Sequence, residues 1–159
     1  MAELEDRYSQ LEARRSADGE EVWLNWAAKE RASGLLVGLV EVTVQKDKKA
    51  MLAYLFAPSV WGKGYAAEVC AGVLANVGQR AGVSTFEATV DTRNLRSRKL
   101  LERLQFKFIE ERESADIIGG EKSREVLYRF QQGLNQPLTP KPGRVSPADD
   151  GGESGAAHV

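Results

Sequence analysis

A Gly62-Lys63-Gly64 segment separates a strand-like run that ends at Pro58 from a helix-like run that starts near Tyr65, and no other feature constrains the fold as much. Ahead of it, Ala50 to Ala57 (Ala-Met-Leu-Ala-Tyr-Leu-Phe-Ala) reads as a strand, closed by a proline that cannot donate to a ladder. Behind it, Ala66, Val69, Cys70, Val73, Leu74 and Val77 recur at three- and four-residue spacing up to Gly82, which predicts a long helix with one buried face. A helix that starts just beyond a strand end exposes unpaired N–H groups and about half a positive charge there. Glycines let an anion approach that end without a clashing Cβ, and Lys63 adds a full charge. The segment is therefore an anion site in prospect; the plain alternative is that Gly62 and Gly64 only make a tight turn. A P-loop is ruled out, because it needs Gly-Lys followed by Ser or Thr after a longer spacer. Gly62 to Ala67 fits the looser dinucleotide fingerprint, but there a parallel strand runs directly into the first glycine, and here Pro58 and three more residues intervene.

Around this junction the chain alternates in character. Residues 3–15 carry Leu4, Tyr8 and Leu11 at helical spacing, an amphipathic helix ended by Asp18-Gly19. Glu21 to Lys29 and Gly34 to Gln45 are β-branched and aromatic, and with Ala50 to Ala57 they make consecutive antiparallel strands. Ser84 to Asp91 is a short strand. Asn94 is a good N-cap for a second helix with Leu100, Leu101 and Leu104 on one side. Phe106 to Glu111 and Val126 to Phe130 supply two last strands around a Gly119-Gly120 turn. The expected fold class is α/β: a mixed, mostly antiparallel central sheet flanked by helices, with one domain over residues 1–132. From Gly133 to Val159 the chain is rich in proline and glycine with almost no large apolar residue, and it reads as a disordered tail.

Composition excludes several kinds of chemistry. A formal net charge of -1 lacks the positive field that holds a phosphate backbone, so nucleic acid is not an expected partner. No apolar run reaches the roughly 18 residues of a membrane span or forms a signal-peptide core, so a cytoplasmic location without membrane contact is expected. One cysteine, Cys70, and one histidine, His158, make no zinc set, and no metal is expected. His158 lies in the tail, which leaves no scaffolded imidazole for catalysis.

A second segment decides between the readings of the first: Val90-Asp-Thr-Arg-Asn94-Leu-Arg-Ser97-Arg-Lys-Leu100-Leu101-Glu-Arg-Leu104-Gln-Phe106. With Trp61-Gly-Lys-Gly-Tyr-Ala66 it resembles the GNAT acetyltransferase superfamily, in detail its RimJ/RimL-like branch, which acetylates protein N-termini; the likeness runs from Trp23 to Phe130. The resemblance implies an acetyl-coenzyme A dependent N-acetyltransferase whose acceptor is a protein N-terminus or another small-molecule or peptide amine, with a homodimer compatible. It implies that the amides of Gly62, Lys63, Gly64, Tyr65 and Ala66 hold the coenzyme pyrophosphate. Leu55, Phe56 and Ala57 would pair with the pantetheine arm as an added strand, and Asn94 would contact the same arm. Relatives normally have a strand and a helix before the point where this chain begins. Ser59 stands where a charged side chain is common, and Gln105 where glycine is usual. Leu101, seven residues after Asn94, occupies the place of a tyrosine that protonates the leaving thiolate in many relatives.

Direct transfer needs a neutral amine and a stabilised thiolate. Glu87, Thr89 and Asp91 alternate onto one strand face, and Glu41 sits on another strand; Glu87 is the candidate base, with a plain salt bridge as its alternative. Ser97, which matches the family's Asn-x-x-Ser, is the candidate hydrogen-bond donor to sulfur, with helix packing as its alternative. Tyr54 and Tyr65 carry hydroxyls within reach of the cleft but read mainly as packing residues, and Cys70 reads as a core thiol. Arg93, Arg96, Arg98 and Lys99 are either a solvated helix face or neighbours of the coenzyme's 3′-phosphate. The competing function is a non-catalytic acyl-coenzyme A binding module of the same fold, suggested by Leu101.

Overall fold

The computed structural model of the protein describes residues 15–118 and 121–133. Of the helix expected over residues 3–15, all but Arg15 lies outside the described residues, as do the Gly119-Gly120 turn and the tail from residue 134 with His158. Arg15 forms an antiparallel bridge with Val22 and so is not helical. The described elements run β1 (Glu21–Lys29), β2 (Leu36–Gln45), β3 (Lys49–Phe56), a 3-10 turn (Pro58–Val60), α1 (Tyr65–Ala81), β4 (Thr85–Asp91), α2 (Leu95–Arg103), β5 (Lys107–Ile118) and β6 (Glu121–Gln131).

The six strands form one sheet in the order β1-β2-β3-β4-β6-β5. All neighbours are antiparallel except β3 and β4, which α1 joins as a crossover. Alternation sorts the sheet's two faces. Val40, Val42, Leu52, Tyr54, Phe86 and Ala88 are buried on one face, against the helix residues Cys70, Leu74 and Val77 of α1 and Leu101 of α2. Glu41, Thr43, Met51, Ala53, Glu87 and Thr89 occupy the other face by the same alternation and pair across it as Glu41↔Ala53, Thr43↔Met51 and Met51↔Glu87.

Local chemistry sets the element ends. Gly64, the residue before α1, has φ 85°, and Gly82 just after it has φ 63°, so both ends of the helix use the left-handed region that glycine reaches without strain. Asn94 caps α2 by accepting a hydrogen bond on its side chain from Ser97 N–H. Strands β5 and β6 extend well beyond the runs expected from apolar residues. Their continuation is a charged ladder, with Arg112 on Glu125 (2.6 Å) and Arg124 on Glu111 (2.8 Å).

Topology opens the sheet at one place. The parallel strands β3 and β4 pair only at Lys49↔Thr85, Ala50↔Phe86 and Met51↔Glu87. Beyond that point β3 stays laddered to β2 as far as Gly38↔Phe56, while β4 stays laddered to β6 as far as Asp91↔Glu125. Each strand is held by its outer neighbour, so the two part into a V.

Candidate functional site

The V and the glycine loop meet at the end of β3. Ala57 N–H donates to Val37 O at 2.9 Å, which shows that odd-numbered residues at this end direct their backbone groups toward β2. The amides and carbonyls of Tyr54 and Phe56 therefore point into the V. Of the three residues Leu55, Phe56 and Ala57, only Phe56 presents its peptide groups there, and its carbonyl already accepts from Trp61 Nε1 at 2.9 Å.

The loop that follows is tightly folded. Trp61 N–H returns to Pro58 O at 3.1 Å and Lys63 N–H to Val60 O at 3.4 Å. Gly62 has φ 72° and Gly64 φ 85°; a Cβ built on either meets nothing within 4 Å. The glycines thus serve backbone conformation while leaving open space beside the chain. Glu68 N–H makes the first bond of α1, to Gly64 O at 3.1 Å, so the amides of Tyr65, Ala66 and Ala67 precede the helical ladder as donors. Tyr65 ties the loop to the β1–β2 turn: its hydroxyl donates to Glu30 Oε1 at 2.6 Å. Glu30 also accepts from the Ser33 hydroxyl, and these two bonds hold its carboxyl below the usual carboxylate range.

Between this loop and α2 lies a pocket of about 210 Å³ lined by Trp61, Gly62, Gly64, Arg96, Lys99 and Leu100, among others. The Arg96 guanidinium carbon stands 3.6 Å from the centre of the Trp61 ring. A larger groove of about 570 Å³, walled by Val22, Trp26, Val77 and Arg80, lies toward the far end of α1 and shares no lining residue with the loop. Size favours the groove, but free helix amides, cations and the strand edge converge on the smaller pocket, and it is the better candidate for binding chemistry.

At the N-terminus of α2, Ser97 is held on both sides of its peptide. Its N–H donates to Asn94 Oδ1 at 3.1 Å, and its carbonyl accepts the Tyr54 hydroxyl at 3.2 Å. Its own Oγ is buried with no hydrogen-bond partner among the described residues. Burial pushes the Tyr54 phenol far above its ordinary value, outweighing the opposing effect of the bond to Ser97. One turn on, Leu101 is fully buried in the core.

The remaining candidates fall elsewhere. Glu87 accepts from Arg129 Nε at 2.7 Å and Nη2 at 2.6 Å, a two-nitrogen ion pair on the face opposite the helices. Asp91 is bound by Arg93, which lowers its carboxyl, and Arg98 donates to the Tyr128 hydroxyl and Thr92 O. Cys70 is buried on α1 and desolvation pushes its thiol up to about 12, so it stays protonated. Among the described residues no group of acids, histidines or cysteines could hold a metal ion, and no helix is long and apolar enough to cross a membrane. The contacts of Tyr65 with Glu30, Trp61 with Phe56 and Arg96, and Tyr54 with Ser97 escape the sequence, although the alternation of β3 already places Tyr54 on the helical side.

A mixed sheet whose two parallel strands part beside a glycine-headed helix is the architecture of the acyl-coenzyme A N-acyltransferases. Residues 1–107 match the family profile described as "Acetyltransferase (GNAT) domain", and the chain belongs to that family. Solved structures share the fold. A ribosomal-protein-S5-alanine acetyltransferase from Vibrio fischeri has TM-score 0.66 and 16% identity, covering 82% of this chain and 70% of that one. The spermidine/spermine N-acetyltransferase SpeG from Vibrio cholerae has TM-score 0.66 and 19% identity, covering 80% and 76%. A GNAT-family acetyltransferase from Bacillus anthracis has TM-score 0.62 and 19% identity, covering 67% and 65%. No curated protein sequence gives a significant match.

Proposed function

We propose that this protein is an acetyl-coenzyme A dependent N-acetyltransferase of the RimJ/RimL-like type, acting by direct transfer on a primary amine such as a protein N-terminus. One observation carries the reading: the V between β3 and β4 opens onto a helix start whose first amides have no backbone partner among the described residues and whose two left-handed glycines leave clear space. That cradle fits a diphosphate, and an amide-bearing arm lying along the free side of β3 would meet the Phe56 N–H, whereas Leu55 and Ala57 turn their peptide groups to β2. In this reading the amides of Gly64, Tyr65 and Ala66, with Gly62 and the charge of Lys63, grip the pyrophosphate. Lys63 contributes its side chain, since its amide is spent on Val60 O. Asn94 acts by starting α2 at the mouth of the V, and its side-chain oxygen is committed to Ser97 N–H.

The thioester supplies an acyl group already activated for attack. The chain must then accept or tolerate an amine proton and stabilise sulfur. Deprotonating a lysine with pKa about 10.4 at pH 7 costs on the order of 4–5 kcal/mol, whereas an α-amine near 7.8 costs about 1 kcal/mol. Glu87 is the base candidate, and it must exchange Arg129 for the amine to serve. That demand favours α-amines. Ser97 is the candidate donor to sulfur, since its hydroxyl is the buried one left without a partner among the described residues.

A second reading, a non-catalytic acyl-coenzyme A binding module, draws on Leu101, which buries an alkyl group where relatives place a phenol. A thiol-release assay over α-amines, polyamines and lysine peptides separates the two. Transfer to at least one α-amine above background hydrolysis is expected. Tight coenzyme A binding by calorimetry with no transfer to any amine would establish the second reading instead.

A further inference from the structure

Tyr54 has no part in the chemistry described so far, although its surroundings are unusual for a packing tyrosine. Strand β3 sends it to the helical face among Val40, Leu52 and Phe56, and its ring tilts against Phe56 with centroids 6.3 Å apart. Its hydroxyl reaches across the open part of the V to α2, where it donates to Ser97 O at 3.2 Å. That carbonyl lies in the first helical turn and has an intrahelical donor available at Leu101 N–H, so the helix itself does not require the phenol. The effect of the bond is positional. With Asn94 Oδ1 on its N–H and Tyr54 on its carbonyl, Ser97 is fixed on both sides of its Cα. Its Oγ, 1% exposed as a residue and unpartnered among the described residues, has correspondingly little freedom.

We propose that Tyr54 is a positioning residue for acyl transfer: it clamps the first turn of α2 to β3 across the V, and so holds the Ser97 hydroxyl where the leaving sulfur acquires charge. The proposal rests on the transferase reading given above. In the step concerned, the amine nitrogen bonds to the thioester carbon, the carbon–sulfur bond breaks, and its electron pair leaves on sulfur. Ser97 Oγ–H donates a hydrogen bond to that sulfur and keeps its proton. The proton shed by the amine passes to Glu87, the base of that reading, and on to solvent, which later protonates the free thiolate. Tyr54 touches none of the reacting atoms. Its phenol stays protonated because burial disfavours the phenolate, which keeps the clamp a donor.

Tyr54→Phe removes one oxygen and keeps the ring, so it tests the clamp with little change in packing. The expected result is a fall in kcat of about tenfold, the scale of one transition-state hydrogen bond, with KM for acetyl-coenzyme A and coenzyme A affinity within about twofold. Ser97→Ala should give a similar fall, and the double variant should be no slower than Ser97→Ala alone, because Tyr54 acts through Ser97. Additive losses would overturn the proposal, as would an unchanged kcat in Tyr54→Phe or a loss confined to KM. If the unsubstituted protein transfers to no amine, the transferase reading and this role fall together. If it transfers and Tyr54→Phe transfers as fast, only the clamp fails.

Discussion

Tyr65 does two jobs with one residue, since its backbone opens α1 beside Gly64 while its hydroxyl fastens the loop to Glu30. The carboxyl of Glu30 sits below its ordinary value because the Ser33 hydroxyl first, and the Tyr65 hydroxyl second, favour the charged form. A depressed carboxyl pKa means the clasp is at full strength above the unfolded value and is lost as pH falls through the lower folded one. Tyr65→Phe should therefore move the Glu30 titration up toward the usual carboxylate range. Carbon-13 NMR of the glutamate carboxyls reads this directly, and an unmoved midpoint would mean the hydroxyl bond does not form in solution. Thirty-five residues separate the partners, so spacing could not reveal the clasp. The glycines were legible in a way the clasp was not, because a residue without Cβ announces a backbone need wherever it falls.

At the scale of elements, periodicity located what buries apolar surface and missed what does not. Strands β1 to β3 and helix α1 carry repeating apolar positions, and their limits match the expected runs closely. Beyond Glu111, β5 has few apolar residues to mark it, yet it continues through the cross-strand ion pairs of Arg112 with Glu125 and Glu113 with Lys122, whose partners lie 13 and 9 residues apart in the chain, and runs on to Ile118. Nor does alternation say which half of a parallel pair stays joined, so the V had no signature of its own. Its inner wall depends on close packing at Gly38, where an added Cβ would strike the Phe56 ring and come within 2.9 Å of Leu55 O. Gly38→Ala should then cost about 1–3 kcal/mol by overpacking, measured as a lower urea midpoint at unchanged m-value. It should also weaken coenzyme A binding, because Phe56 ends the strand edge that faces the V. A variant as stable as the parent would show that Phe56 can move aside freely.

The whole molecule is built around an opening it cannot close by itself. Strand β3 is committed to β2 on one side and β4 to β6 on the other, so drawing the V shut would break one of two ladders. A ligand that lines the free edge of β3 and is gripped at the head of α1 would join the two halves and stabilise the native state by mass action. At 100 times its Kd, acetyl-coenzyme A should add about 2.7 kcal/mol. For a domain of this size that corresponds to a rise in Tm of about 5–10 °C. Gly64→Glu sets a side chain and a negative charge at the left-handed position before the first helix amide. The substitution should lower the ligand-free Tm modestly through backbone strain and abolish the ligand-induced rise. NAD belongs in the same thermal series, since a dinucleotide would use the same helix start: a larger shift with NAD than with acetyl-coenzyme A would contradict the assignment. An undiminished shift in Gly64→Glu would move the binding site away from the loop, with the 570 Å³ groove beside Trp26 and Arg80 as the next place to look.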